Sequence, residues 1–278
     1  MNHGIKDDEQ AIDQWCNSKR SASTRAAYNG YVGTWRRFMN QKALADVSID
    51  DMQQWFASLE GKRNNTIRTE VAAIKSLFAY LCKVGYLAED VAKMIEVPKP
   101  TSAVEERYLT QEQIEQFITA AEGNLRDYCL VRFLYLTGAR ASEAANVCWR
   151  NFVAIDGEGA EVTIIGKGDK KRKVLTGEPL WIDLCELRKQ NKGKDVDKVF
   201  GLESNLAVLR VIKDVARVAG MPNVTTHWLR HSVATHALEN DMPIGYVGMR
   251  LGHVDTRTTQ QYLHLKGNHS FNQFVKVG

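Results

Sequence analysis

The chain has 278 residues, of which 44% are hydrophobic and 25% charged, an ordinary composition for a globular protein long enough to hold two cores. Its net charge of +4 is mildly basic, so charge alone neither demands nor excludes nucleic acid as a partner. Five scattered cysteines without a C-x-x-C pair argue against a disulfide frame or zinc site, and the polar start "MNHGIKDDEQ" has no signal-peptide core, so a cytosolic protein with reduced, mostly buried thiols is expected.

In chain order, "STRAAYNGYVGTWRRFMNQ" places Tyr28, Tyr31, Val32, Trp35, Phe38 and Met39 at helical spacing behind a Ser23/Thr24 cap. "SIDDMQQWFASL" predicts a helix with Ser48 as N-cap and Asp50 and Asp51 in its first turn. "NNTIRTEVAAIKSLFAYLCKVGY" predicts another, with Ile67, Val71, Ile74, Leu77, Phe78 and Leu81 on one stripe. Pro98 and Pro100 then break the pattern, and "EVPKPTSAVEERYLT" reads as a boundary. Beyond it come a helix capped by Thr110 and a buried helix, "LRDYCLVRFLYLTGA", too short and too charged (Arg132) to span a membrane. The period changes at "NFVAIDGEGAEVTIIGKGDKKRKVLTG", where short β-rich runs between glycine turns predict two or three antiparallel strands. Helices return from about Asn205 to the end. The expected fold is mainly α with a small antiparallel β-sheet.

Several short stretches carry chemistry, and each has a plain structural alternative. "HWLRHSVATH" sets His227 and His231 four apart, a spacing that can bind zinc, but Trp228 stands where a zinc hydrolase needs glutamate. Core packing is the alternative for His231 and His236. Arg230 lies one turn after His227 on the same face, and a buried guanidinium there needs an anion, internal or external. "LTGARASEAANV" puts Arg140 after a glycine bend at a helix start, where anions are favoured; a surface pair with Glu143 is the alternative. "GKGDKKRKV" holds Lys167 in a tight turn followed by Lys170, Lys171, Arg172 and Lys173, either a solvated turn or a basic hairpin lying along a nucleic-acid backbone. "RLGHVDTRTTQQYLHL" carries His253 and, nine residues on, Tyr262.

The order Arg, Lys, His-x-x-Arg, Gly-His, Tyr resembles the tyrosine recombinases of the phage-integrase family, on "TGARASE", "GKGDKKRKV", "HWLRHSVATHAL" and "LGHVDTRTTQQYLH". The N-terminal part resembles the family's core-binding domain in "STRAAYNGYVGTWRRF" and "NNTIRTEVAAIKSLFAYL". The resemblance implies a two-domain tyrosine recombinase architecture. A helical, SAM-like core-binding domain spans 1–98, a linker 99–106, and a mixed α/β catalytic domain with a C-terminal tail helix 107–278. Two positions depart from the family pattern: Leu175 follows the hairpin valine where proline is common, and Arg250 precedes Leu-Gly-His where an apolar residue is usual.

Carried over residue by residue, the resemblance implies Tyr262 as nucleophile and Arg140, Arg230 and His253 as the clamp on the scissile phosphate. Lys167 is implied as general acid, His227 as the proton acceptor, and Glu143 as the support of the first arginine. Two guanidiniums and an imidazole can neutralise the charge that grows on a pentacoordinate phosphorus, so neither metal nor other cofactor is expected. The implied activity is site-specific strand exchange through a 3′-phosphotyrosine: integration, excision or resolution of DNA elements. The implied partners are double-stranded DNA with paired inverted half-sites, clamped between the domains, and a homo-tetramer linked by tail exchange through 268–278. Room is left for an accessory protein or a second recombinase. Thr24, Arg25, Arg63, Asn65 and Arg68, with Lys170, Lys171 and Arg172, are candidate DNA contacts, and the expected location is the cytoplasm, at the nucleoid. Two other activities remain open: relaxation in the manner of a type IB topoisomerase, and DNA binding by a catalytically silent regulator.

Overall fold

The structure, a computed structural model, describes residues 5–97, 108–166 and 168–252. The chain divides into two compact units, Met1–Ala103 and Val104–Gly278, each with its own apolar cluster. The expected linker at 99–106 and tail at 268–278 lie outside the described residues.

The first unit is helical throughout its described residues. Helix α1, Asp8–Asn17, starts where the Asp7 carboxylate accepts the Gln10 amide at 2.8 Å. The acidic N-terminus, read from sequence only as polar, thus opens a helix that buries Ala11 and Trp15. Helix α2, Ala22–Phe38, begins earlier than the expected Ser23/Thr24 cap: Ser21 takes the N-cap position, and Thr24 falls in the first turn. Helix α3, Ile49–Ala57, starts at Ser48 with a reciprocal capping box to Asp51. Lys42 adds an ion pair to Asp51 at 2.6 Å. Side-chain hydrogen bonds from Lys42 and Ser48 hold the Asp51 carboxyl down at about 2.

Helix α4, Asn64–Lys83, presents Ile67, Val71, Ile74, Leu77, Phe78 and Leu81 inward, the stripe expected from its period. The Phe78 ring meets the fully buried Trp35 edge-on at 5.5 Å, which locks α2 against α4. Asp8 gathers the loop after α2 and the segment after α4, accepting from the Leu44 amide and the Tyr86 hydroxyl.

In the second unit, α5, Gln111–Thr119, is started by a Thr110–Gln113 capping box, and α6, Leu125–Thr137, by Asn124. Helix α6 is the central rod, burying Cys129, Leu130, Val131, Phe133 and Leu134. Its one interior charge, Arg132, lies over the Tyr128 ring and pairs with Asp183. Gly138 ends α6 in the left-handed conformation, and α7, Ala141–Asn146, follows at once.

Among the described residues the strands are β1, Phe152–Ile155, β2, Gly159–Ile165, and β3, Lys171–Leu175, in one antiparallel sheet of order β1-β2-β3. Val162 pairs with Phe152 on one side and Val174 on the other, so Ala160, Val162, Ile164 and Val174 turn one face to the core. Helix α8, Glu178–Asn191, packs on β2 and α6 through Leu180, Leu184 and Leu187. The expectation that helices return only near Asn205 is corrected by α8. Helices α9, Asn205–Val218, α10, Thr226–Glu239, and α11, Ile244–Leu251, complete the described chain.

The thiols are also less hidden than expected: Cys16 and Cys129 are buried, whereas Cys185 is exposed. No helix among the described residues is long and apolar enough to cross a membrane. Phe78 has no exposed surface, so Phe78→Ala should lower stability by about 3–5 kcal/mol through lost burial and the cavity left against Trp35. Chemical denaturation of the two proteins measures it.

Candidate active site

Glu143 sits in the first turn of α7 with its side chain only 2% exposed. A carboxylate in that position is costly unless every lone pair is engaged. Four donors meet it. The main-chain amide of Arg140 donates to Oε2 at 2.8 Å, and the Arg140 guanidinium to Oε1 at 2.8 Å. From β3, the two terminal nitrogens of Arg172 donate at 3.0 and 2.7 Å, one to each oxygen. Burial pushes the Glu143 carboxyl up, but the bonds from Arg172 and Arg140 and the Arg172 charge outweigh it, and its pKa lies below the ordinary 4.5.

Three glycines mark close backbone approaches in this region, one of them to the carboxylate itself. Gly138 has φ +59, and a Cβ there would lie 2.5 Å from the Leu251 Cδ2. A Cβ on Gly166 would lie 3.0 Å from Glu143 Oε1, and one on Gly252, at φ +68, would lie 3.3 Å from the Arg172 Cδ. Backbone passes where no side chain fits.

Arg230, on the first turns of α10, is buried, with 5% of its surface exposed. Its guanidinium donates to the Gly138 carbonyl and, at 2.6 Å, to the Leu251 carbonyl. One side chain therefore ties together the turn that precedes Arg140 and the end of α11. The Arg140 side chain is 35% exposed above the Glu143 carboxylate. His227 reaches solvent at the start of α10. The protein packed around it, and then the charges of Arg230 and Arg140, push its pKa below the ordinary 6.5. Arg140 and Arg230, expected together with His227 from sequence, thus both place positive charge near it.

His236 is buried with its Nδ1 in a 2.9 Å hydrogen bond to the Tyr135 hydroxyl. The rings of His227 and His231 lie 6.5 Å apart. Among the described residues no three His, Cys, Asp or Glu side chains converge as a metal-binding group would. Lys167, His253 and Tyr262 lie outside the described residues. Their chain neighbours Gly166 and Gly252 are described, and both abut the Glu143–Arg172 pair.

The hairpin corrects one expectation. Lys170 and Lys171 are exposed, but Arg172 is not part of a solvated basic run. Its side chain is 9% exposed and turned inward on Glu143, so it is not an exposed DNA-contact residue in this structure. Its Nε is buried without a hydrogen-bond partner among the described residues. The physical reason is strand alternation: Arg172 shares the inward face with Val174, and its register partner Ile164 is itself buried. That period-two pattern was present in the sequence and is the signal that points Arg172 inward.

In the first unit, Thr24 and Arg25 fall in the first turn of α2, and the Arg25 guanidinium donates to the Lys19 carbonyl at 2.7 Å. Arg63 precedes α4, with Asn65 and Arg68 in its first turns. Arg63 and Asn65 are exposed, and Arg68 is half-buried.

Comparison with known proteins decides the family. Residues 107–269 match the model described as "Phage integrase family", and residues 13–85 match "Phage integrase, N-terminal SAM-like domain".

The chain belongs to the phage integrase family.

Tyrosine recombinase XerC of Mycobacterium bovis (strain BCG / Pasteur 1173P2) is 31% identical over 269 residues, covering 88% of this chain and 89% of that protein. Tyrosine recombinase XerD of Neisseria meningitidis serogroup B is 26% identical over 267 residues, covering 90% of each. Among solved structures, a lambda integrase dimer bound to a COC′ core site superposes with a TM-score of 0.75 at 17% identity, covering 97% of this chain and 98% of that one. XerH bound to a palindromic difH substrate gives 0.74 at 20% identity, covering 95% and 87%. The integrase fold is thus shared across chains of low identity.

Glu143→Gln should destabilise this family member by about 3 kcal/mol at neutral pH, because two guanidiniums lose their buried counter-charge. The folded pKa lies below the ordinary 4.5, so the carboxylate's contribution is present above that value and is lost as pH falls through the folded pKa. Denaturation of the pair of proteins across an acid pH series should show their difference shrinking.

Proposed function

We propose that this chain is a site-specific DNA recombinase that cuts and rejoins duplex DNA through a 3′-phosphotyrosine. The observation that carries the proposal is that the charges of Arg230 and of Arg140, itself held by the buried Glu143, both act on His227, within a unit matched along residues 107–269 by the phage integrase model. The relatives named tyrosine recombinase support the same reaction class.

In the proposed reaction, the guanidiniums of Arg140 and Arg230, with His253 as a further donor, hold a phosphodiester whose negative charge grows as phosphorus becomes pentacoordinate. Removing one preorganised donor of this kind typically costs about 10²–10³ in rate. Arginine keeps its proton at any ordinary pH, so the clamp stays charged. Burial, and then the charges of Arg230 and Arg140, disfavour the protonated form of His227, and a neutral imidazole can take the proton of the Tyr262 phenol as its oxygen attacks phosphorus. Lys167 is proposed to protonate the departing 5′-oxygen. The tyrosyl phosphodiester retains the energy of the broken bond, so a 5′-hydroxyl of another strand can reverse the step.

The proposal extends to organisation. Residues 1–98 act as the core-binding domain, joined by 99–106 to the catalytic domain 107–278. The substrate is duplex DNA with inverted half-sites, bound by a tetramer whose tails, 268–278, exchange between subunits. A solved lambda integrase tetramer bound to a Holliday junction has the same fold, with a TM-score of 0.73. Lys170, Lys171, Thr24, Arg25, Arg63, Asn65 and Arg68 are proposed DNA contacts, and the protein is proposed to act at the nucleoid in the cytoplasm, with an accessory protein or second recombinase as a further partner.

A duplex nicked near the scissile phosphate should trap a covalent protein–DNA adduct visible on a denaturing gel. Tyr262→Phe should abolish the adduct and leave DNA affinity unchanged; an adduct that survives the substitution rejects Tyr262 as nucleophile. Adduct formation should also persist at pH 6.5 and fall only at lower pH, because the His227 pKa is depressed from that value. His227→Gln should slow the reaction and remove this acid limb.

A further inference from the structure

We infer that Arg172 is a positioning residue for strand cleavage: by gripping Glu143 it fixes the segments on which Arg140, Lys167 and His253 are carried. The inference rests on the recombinase reading above and adds a residue to it.

Two observations carry it. The first is the fork: both terminal nitrogens of Arg172 are engaged by Glu143, one oxygen each, and the same carboxylate holds the main chain and the guanidinium of Arg140. The orientation of Arg140 and the register of β3 are therefore set by one buried group. The second is the packing of two glycines. Gly166 immediately precedes Lys167 and approaches Glu143 Oε1, and Gly252 immediately precedes His253 and lies on the aliphatic part of Arg172. A second tie runs in parallel, from the Arg250 guanidinium to the Lys173 carbonyl at 2.9 Å, joining α11 to β3. Among the described residues, then, the charged groups on Glu143 are Arg140 and Arg172, with the backbone at 166 against the carboxylate and that at 252 against Arg172.

A lysine in place of Arg172 keeps the charge and loses the planar fork, so it can satisfy one oxygen of Glu143 but not both in fixed geometry. The site would stay folded and become less well set. A guanidinium that contacted DNA phosphate would behave otherwise: its loss would weaken binding and make the salt slope shallower by about one.

The test is single-turnover adduct formation on the nicked duplex at saturating DNA, measured for wild type, R172K and R172Q well below their melting temperatures, with DNA affinity measured at several salt concentrations. The expected result is affinity and salt slope near those of wild type. Cleavage at saturation should be slower by about tenfold in R172K and about a hundredfold in R172Q, the order of loss seen when a supporting partner of a reactive group is removed. Adding E143Q to R172Q should cost much less than the two single losses combined, because both act through one contact.

Saturated cleavage at the wild-type rate in R172K and R172Q overturns the inference. So does a loss confined to affinity with a shallower salt slope, which would make Arg172 a DNA contact. If R172Q fails to fold, R172K decides alone: wild-type cleavage rejects the positioning role and slowed cleavage with an unchanged melting temperature supports it. A wild-type protein that forms no adduct rejects the parent reading instead, so the two failures are separable.

Discussion

The catalytic unit depends on one carboxylate kept out of water. A glutamate as deeply enclosed as Glu143 is tolerable only with its oxygens fully engaged, and no single segment of chain supplies enough donors. Meeting that demand draws the α6–α7 turn and the inner edge of the hairpin to one point. The glycines at 166 and 252 follow from the same demand, since their backbone comes close enough to the pair that a Cβ would crowd it.

Around that point the fold assembles like charges that would otherwise repel. The Arg172 guanidinium is neutralised by Glu143, Arg140 shares the same anion, and Arg230 is held by carbonyl dipoles. The pKa of His227 is depressed by burial first and then by the positive field of Arg230 and Arg140. In the proposed reaction, that field acts on a phosphate and is built before the substrate arrives, so little rearrangement is needed when it does.

Much of this was legible in the sequence where local chemistry and tertiary structure agree. Ser48 and Thr110 announce helix starts because a side-chain oxygen three residues before an acid or amide is a self-contained cap. Arg140 after Gly138 announces a chain reversal because only a left-handed residue ends α6 there. Legibility failed where long-range burial overrode a local pattern. Arg172 lies in a run of four basic residues, Lys170 to Lys173, and its neighbours' charges conceal the strand alternation that turns it inward. Helix α8 was missed between the hairpin and Asn205 although Leu180, Leu184 and Leu187 recur at helical spacing. Its weak amphipathicity reflects Trp181 and Ile182 beside that stripe, where Trp181 stacks on Phe152 at 5.7 Å. Where α2 begins was set by backbone at Ser21, with serine and threonine on several adjacent positions equally able to cap from sequence.

The bonds from Arg230 have a consequence for how variation in this protein is interpreted. Two partners of Arg230 are peptide carbonyls, at Gly138 and Leu251, which every residue type provides. Replacing the leucine side chain leaves its carbonyl in place, so such a change costs the packing of a buried side chain and not the bond to Arg230. A shift of chain register, by inserting or deleting one residue near the end of α11, would break what no exchange of side chains at Leu251 can reach. At Leu251 a side-chain exchange is therefore felt through core packing, and a change of chain length through the loss of a backbone acceptor.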